Sequence, residues 1–295
     1  MRLTGLGPLA IAAVVPVVWF GMPRAQKVIP TVDAHPAPVL VELFTSEGCS
    51  DCPPADALLA KLDAQPVPGA QAIVLSEHVD YWNHSGWSDP YSSHSYSERQ
   101  SAYDNHFGLS SVYTPQMVVD GTQEFVGSDG RKARAALEKA EAGVKIPVRI
   151  SHLRFEAGRE LQASVEAGPL PQSSHRAGVF VAVALNRVES AVARGENAGR
   201  HLTHVAVVRN LLKLSDLKPG ATFSREVAVK VENGVDPGNV RLIAFVQEPG
   251  PGRVLGAAVE MPLRDQSASV KAKRLANALT VSQQFPPFRV RGILR

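Results

Sequence analysis

Cysteine is scarce: two in 295 residues. That excludes a small scaffold stapled by several disulfides, but leaves material for one redox pair. The chain also lacks any strong bias. With 44% hydrophobic and 20% charged residues, it has neither the composition of collagen, nor that of a wholly disordered chain, nor that of a multi-span membrane protein. No internal repeat is visible. A basic excess is missing where it would matter for nucleic acid. Residues 1–27 carry +3 and residues 266–295 carry +6, so the formal total of +3 leaves the body, residues 28–265, at −6. A mildly acidic body argues against nucleic-acid binding as the main task.

Arg2 precedes an apolar stretch from Leu6 to Met22, and Pro8 and Pro16 interrupt it. A short positive region followed by such a run reads as a signal peptide or, uncleaved, as an anchor. Residues 1–27 are therefore expected to export the chain, and residues 28–37 to form a linker. The expected location is periplasmic or secreted, with membrane contact only if the segment is retained. An oxidising compartment permits a disulfide.

Pro38–Phe44 is an apolar strand, Pro54–Leu62 has helical spacing, and Ala70–Val79 is a second strand. This order makes a parallel β-α-β unit. Residues 80–114 hold all five tyrosines, with Trp82 and Trp87. Ser95–Phe107 is expected to be helical and to end at Gly108. Gln116–Val119 and Gln123–Val126 flank Asp120-Gly121-Thr122, a hairpin signal. Asp129 is placed to cap a helix over Arg131–Glu141. From Pro147 onward, short strand-like stretches alternate with turns such as KPGA and EPGPGR, an all-β pattern. The expected architecture is an α/β thioredoxin-like domain over 38–145, an all-β sandwich-like domain over 146–265, and a disordered basic tail over 266–295.

The chemistry concentrates at Cys49-Ser50-Asp51-Cys52, directly after the first strand. A C-x-x-C pair in a β-α-β context is a thioredoxin-like redox motif. The spacing lets Cys49 attack a substrate sulfur and Cys52 resolve the mixed disulfide. Thr114-Pro115 precedes the hairpin, and a cis proline there would expose backbone groups to a substrate strand. Glu42, a carboxyl on an apolar strand, is a candidate for moving the proton. Trp82, Trp87 and Thr114 are candidates for a substrate groove; the aromatics could equally form a small core of their own. Pro53-Pro54 is expected to delay the helix to Pro54. Glu47 and Asp51 disfavour a thiolate, so Cys49 is expected to be a weakly acidic thiol.

The stretches LFTSEGCSDCPPAD, HVDYWNHSGWSDPYSS and VYTPQMVVDG resemble a bacterial family of exported proteins known only as a domain of unknown function with a thioredoxin-like fold. GENAGRHLTHVAVVR and GRVLGAA resemble the same family's C-terminal part. The resemblance implies the fold and supplies no substrate. The function expected from the residues is extracytoplasmic thiol–disulfide exchange with protein or small-molecule thiols, without a cofactor. Two alternatives stay open. One is copper or zinc binding through Cys49, Cys52, His78 and His84; the other is a non-catalytic interaction module. An inert disulfide is a third reading of the cysteines, although so short a loop is a poor staple. The oligomeric state is not expressed in the sequence.

Overall fold

The computed structural model describes residues 36–65, 67–156 and 160–262. The expected export segment, most of the expected linker and the basic tail lie outside the described residues. Among the described residues, no helix is long and apolar enough to cross a membrane.

The first half runs β1 (Ala37–Thr45), α1 (Pro53–Ala64), β2 (Ala70–His78), α2 (His94–Phe107), β3 (Gln116–Val119), β4 (Gln123–Val126) and α3 (Gly130–Glu141). β1 pairs in parallel with β2 and antiparallel with β3, and β3 pairs antiparallel with β4. Side chains alternate along a strand, so β1 is buried on both faces. Val39, Val41 and Leu43 pack with α1 and α3. Leu40 packs beside Tyr96, and Phe44 beside Tyr103, both on α2. The punctuation is as the sequence indicates. Gly108 ends α2 in the left-handed region, and the Asp129 side chain accepts from the amides of Arg131 and Lys132. Asp120 and Gly121 turn the hairpin at φ 56° and 68°.

The second half adds β5 (Val148–Glu156), β6 (Glu160–Ala167), β7 (Ala177–Ala191), β8 (His201–Leu217), β9 (Phe223–Lys230), β10 (Val240–Gln247) and β11 (Val254–Glu260). β7 and β8 are far longer than the short strand-like stretches expected there. They form a long hairpin of 15 and 17 residues, and β8 runs alongside β2, with Ser76 opposite Val207. The result is one mixed eight-stranded sheet, in the order β11-β10-β7-β8-β2-β1-β3-β4, and a small sheet, β5-β6-β9. The small sheet shares a core with β7 and β10 through Leu161, Val165, Val229, Val181 and Leu242.

The strands after residue 146 thus form two facing layers, but the larger layer is continuous with the sheet of the first half. The physical reason lies in β7, whose first nine residues, AGVFVAVAL, are apolar almost without break. Such a run suits a strand covered on both faces. Arg241 on β10 clasps Asp63 on α1 through bonds of 2.6 and 3.0 Å, which ties the halves together again. The fold is mixed α/β and rich in sheet.

Candidate functional site

The parallel strands β1 and β2 end on the same edge of the sheet, where the loops of an open α/β sheet meet. The loop after β1 carries the cysteines. Cys49 and Cys52 form a disulfide with Cα atoms 5.4 Å apart. The amide of Cys52 donates to the Cys49 carbonyl at 3.3 Å, closing a tight turn. The helix begins at Pro53, one residue earlier than expected, because Cys52 itself takes the right-handed helical conformation as N-cap. Its carbonyl accepts from Ala55 at 2.9 Å and Asp56 at 3.1 Å. These bonds offset the steric bias that Pro53 imposes on the preceding residue. Cys52 therefore stands directly at the N-terminus of α1, and Cys49 one tight turn ahead of it.

Reading Cys49 and Cys52 as an exchange pair carries the expectation that the sulfurs stand open to a substrate; the structure contradicts it, for both cysteines are buried, Cys49 at 1% exposure and Cys52 at 0%. Only Ser50 and Asp51 between them reach the surface. The cover comes from the loop between β7 and β8. Asn197 is itself buried and donates from Nδ2 to the carbonyls of Glu47, at 2.9 Å, and Cys49, at 2.8 Å. Glu196 accepts from the Ser50 amide at 3.1 Å. Arg200 donates to Asn197 Oδ1 at 3.0 Å and fixes the side chain's orientation.

Trp82 links this loop to the expected docking element. A Cβ added at Gly48 would lie 3.2 Å from Trp82 Cβ, so the tryptophan packs against the residue before Cys49. Its indole Nε1 donates to Thr114 Oγ1 at 2.7 Å. Thr114-Pro115 is cis, and Pro115 is buried. Gly127 fills the space between Pro115 and Ala55 of α1, since a Cβ there would lie 3.2 and 3.1 Å from their Cβ atoms. Trp87 turns inward instead, donating from Nε1 to Glu47 Oε2 at 2.8 Å. It serves as a partner of a buried carboxylate.

Beneath the cysteine loop lies a buried ionic cluster that sequence reasoning undervalued. His204 on β8 is 1% exposed. It stands 3.5 Å from Glu47 through Nε2 and 3.5 Å from Asp56 through Nδ1. Burial opposes its charge, but the carboxylates of Asp56 and Glu47 raise the imidazole to about 10. Burial also opposes the charge of Glu47, yet hydrogen bonds from His204, Ser190 and Trp87 hold its carboxyl below the usual range. The ring of His78 sits edge-on to His204 with centroids 4.7 Å apart. His78 Nδ1 bonds Asp89 Oδ2 at 2.7 Å, and the same oxygen accepts the Glu47 amide at 2.8 Å. Burial is outweighed by His78 and these bonds, so Asp89 is lowered too. One usable signal existed in the sequence: Asn197 and His204 both fall within the single family-like stretch GENAGRHLTHVAVVR.

Two candidate roles meet a different geometry. Glu42 is even-numbered on β1 and so faces α2, not α1, whose N-terminus holds the sulfurs. It is salt-bridged to Arg99 at 2.6 Å and accepts from Tyr103. Its neighbour Glu77 is fully buried; desolvation, with Glu42 beside it, raises its carboxyl well above the usual range. Glu42 belongs to a structural ionic centre on the other side of the sheet. The alternative metal set, Cys49, Cys52, His78 and His84, is not brought together as a metal site either. The sulfurs are joined to each other, His78 is engaged with Asp89, and His84 is exposed. Among the described residues, no group of three or more His, Cys, Asp or Glu is arranged to hold a metal ion.

A family model described as "Protein of unknown function (DUF1223)" matches residues 40–247, a span that contains every residue of this site. No curated protein matches the chain. Among solved structures, a protein from Agrobacterium tumefaciens is similar at 27% identity and TM-score 0.60, covering 77% of this chain and 95% of that one. HBP35 of Porphyromonas gingivalis shares the fold at 14% identity and TM-score 0.58, covering 77% of this chain and 75% of that one.

Proposed function

This chain belongs to the DUF1223 family of proteins of unknown function, and from its geometry we propose that it is an extracytoplasmic thiol–disulfide oxidoreductase-like protein working through Cys49 and Cys52. Residues 38–145 constitute its thioredoxin-like part. The sheet order β2-β1-β3-β4, with α1 and α3 on one face and α2 on the other, supports that assignment.

The observation that carries the reading is the disulfide at the N-terminus of α1, connected by Trp82 to the cis Thr114-Pro115 bond. A helix N-terminus favours negative charge, and so favours the thiolates through which exchange proceeds. In the oxidising direction, a substrate thiolate attacks Cys49 Sγ, the Cys49–Cys52 bond breaks, and Cys52 leaves as a thiolate. A second substrate thiolate then attacks its own mixed-disulfide sulfur and releases Cys49. Two electrons pass from substrate to protein, and the reverse sequence reduces a substrate disulfide. Substrates are protein or small-molecule thiols, docked against Thr114-Pro115 with Trp82 alongside. Because the sulfurs are covered, exchange requires the 192–200 loop to lift. Motions of such loops gate many active sites.

An insulin-reduction assay and a dithiol-oxidation assay on wild type and Cys49→Ala test the proposal. Turnover by wild type in either assay, lost in the variant, supports it. Equal activity of the two proteins overturns it.

A further inference from the structure

We infer that His204, supplied by strand β8 of the second half, is a positioning residue that sets how readily the reduced Cys49–Cys52 pair ionises, with Asp56 opposing it. The inference rests on the exchange reading for its purpose, but its test does not need a substrate.

The cysteine loop is framed by acids. Glu47 lies two residues before Cys49, Asp51 lies between the cysteines, and Asp56 sits in the first turn of α1 with its amide on the Cys52 carbonyl. Unopposed, that arrangement would work against a thiolate. Both Glu47 and Asp56 are buried, so solvent screens them little. The cation that answers them is His204, 3.5 Å from each. His78 stands edge-on to the imidazole with centroids 4.7 Å apart; its Nδ1 bonds Asp89 and its Nε2 is buried without a hydrogen-bond partner. Asp89 reaches the cluster through the Glu47 amide and His78. Tyr91 faces His204 ring to ring at 6.4 Å. His204 is thus the charge that makes the buried motif tolerate a sulfur anion. It is held in place by carboxylates that flank the motif on both sides in sequence.

Asp56 has a second feature of use. Its Oδ1 is buried without a hydrogen-bond partner, while Oδ2 carries the ion pair. An acid with a free lone pair one helical turn after Cys52 pushes electrostatically against the thiolate that His204 favours. The two residues are therefore expected to act with opposite sign.

The experiment titrates thiolate absorbance in the reduced full-length protein, for wild type, His204→Gln and Asp56→Asn. The expected result is an upward shift of the lower thiol pKa in His204→Gln, by about one unit, and a downward shift in Asp56→Asn. One unit corresponds to a tenfold change in thiolate at fixed pH well below that pKa. Opposite signs are the signature, since loss of packing alone would move both variants the same way. Unchanged titration in His204→Gln, or shifts of equal sign, overturns the inference. If His204→Gln fails to fold, His204→Lys, which keeps the cation, should hold the wild-type titration, and a shift there of the size expected for Gln also overturns it. If the thiols titrate as expected but no dithiol or disulfide is turned over, the exchange reading fails while this one stands.

Discussion

Asn197 donates a 2.8 Å hydrogen bond to the carbonyl of Cys49 across 148 positions of sequence. Through that bond the strand-rich half of the chain covers a disulfide whose cysteines belong to the other half. Asn197 holds the Glu47 carbonyl as well, so one amide group anchors both sides of the turn that precedes the first sulfur. The arrangement makes access to the disulfide a property of the β7–β8 loop.

Replacing Asn197 by alanine should loosen that cover. Two hydrogen bonds to buried carbonyls are worth together about 1–3 kcal/mol. Their loss should raise the fraction of open molecules, and with it the rate of reduction by dithiothreitol, by about 5- to 150-fold. Following free thiols over time in wild type and Asn197→Ala measures this. Equal rates would show that the loop does not limit access.

Arg99 should matter for stability and not for exchange. It is the only cation beside Glu42 and Glu77 among the described ion pairs. Arg99→Ala would leave two buried carboxyls without a cation, at a cost of about 3–5 kcal/mol, read from urea denaturation. Glu42→Gln keeps the shape while removing the charge. Exchange rates in Glu42→Gln should stay within about twofold of wild type, a free-energy change of about 0.4 kcal/mol. A hundredfold loss would restore Glu42 to the proton-transfer role that its face of the sheet argues against.

The ionic cluster predicts a particular dependence of stability on pH. His204 is raised from 6.5 to about 10 on folding. Its contribution is therefore complete below pH 6.5 and is lost as pH rises through 10. Glu47 and Asp89 are lowered from 4.5 and 3.8. Their contribution is present above those values and is lost as pH falls through their folded values. Urea midpoints measured from pH 6.5 to 10 should fall more steeply for wild type than for His204→Gln. Parallel curves would contradict the ion pairing.

Much of the first half was legible in the sequence. The apolar runs of β1 and β2, the Asp-Gly turn and the caps at Gly108 and Asp129 are local signals, and local physics decided them. What stayed hidden depended on distant contacts. Nothing near Glu42 tells which face of the sheet it occupies relative to α1, because that depends on which residue of β1 meets which helix. The reach of β7 and β8 could not be seen either, since their outer halves, NRVESA and NLLKLSDL, mix polar and apolar residues in no clean period. His204 reads as an ordinary strand histidine until the fold sets Glu47 and Asp56 on either side of it. The burial of the cysteines has the same origin: the covering loop lies some 150 residues away in the chain.

The most direct test of a working Cys49–Cys52 pair is its reduction potential, obtained by equilibrating the folded protein in dithiol buffers of defined poise and trapping free thiols. The account predicts a reversible two-electron transition at about −120 to −270 mV, the range of exchange proteins, absent from Cys49→Ala. A disulfide that stays closed in the folded protein to below about −300 mV would mark a permanent structural link and contradict it.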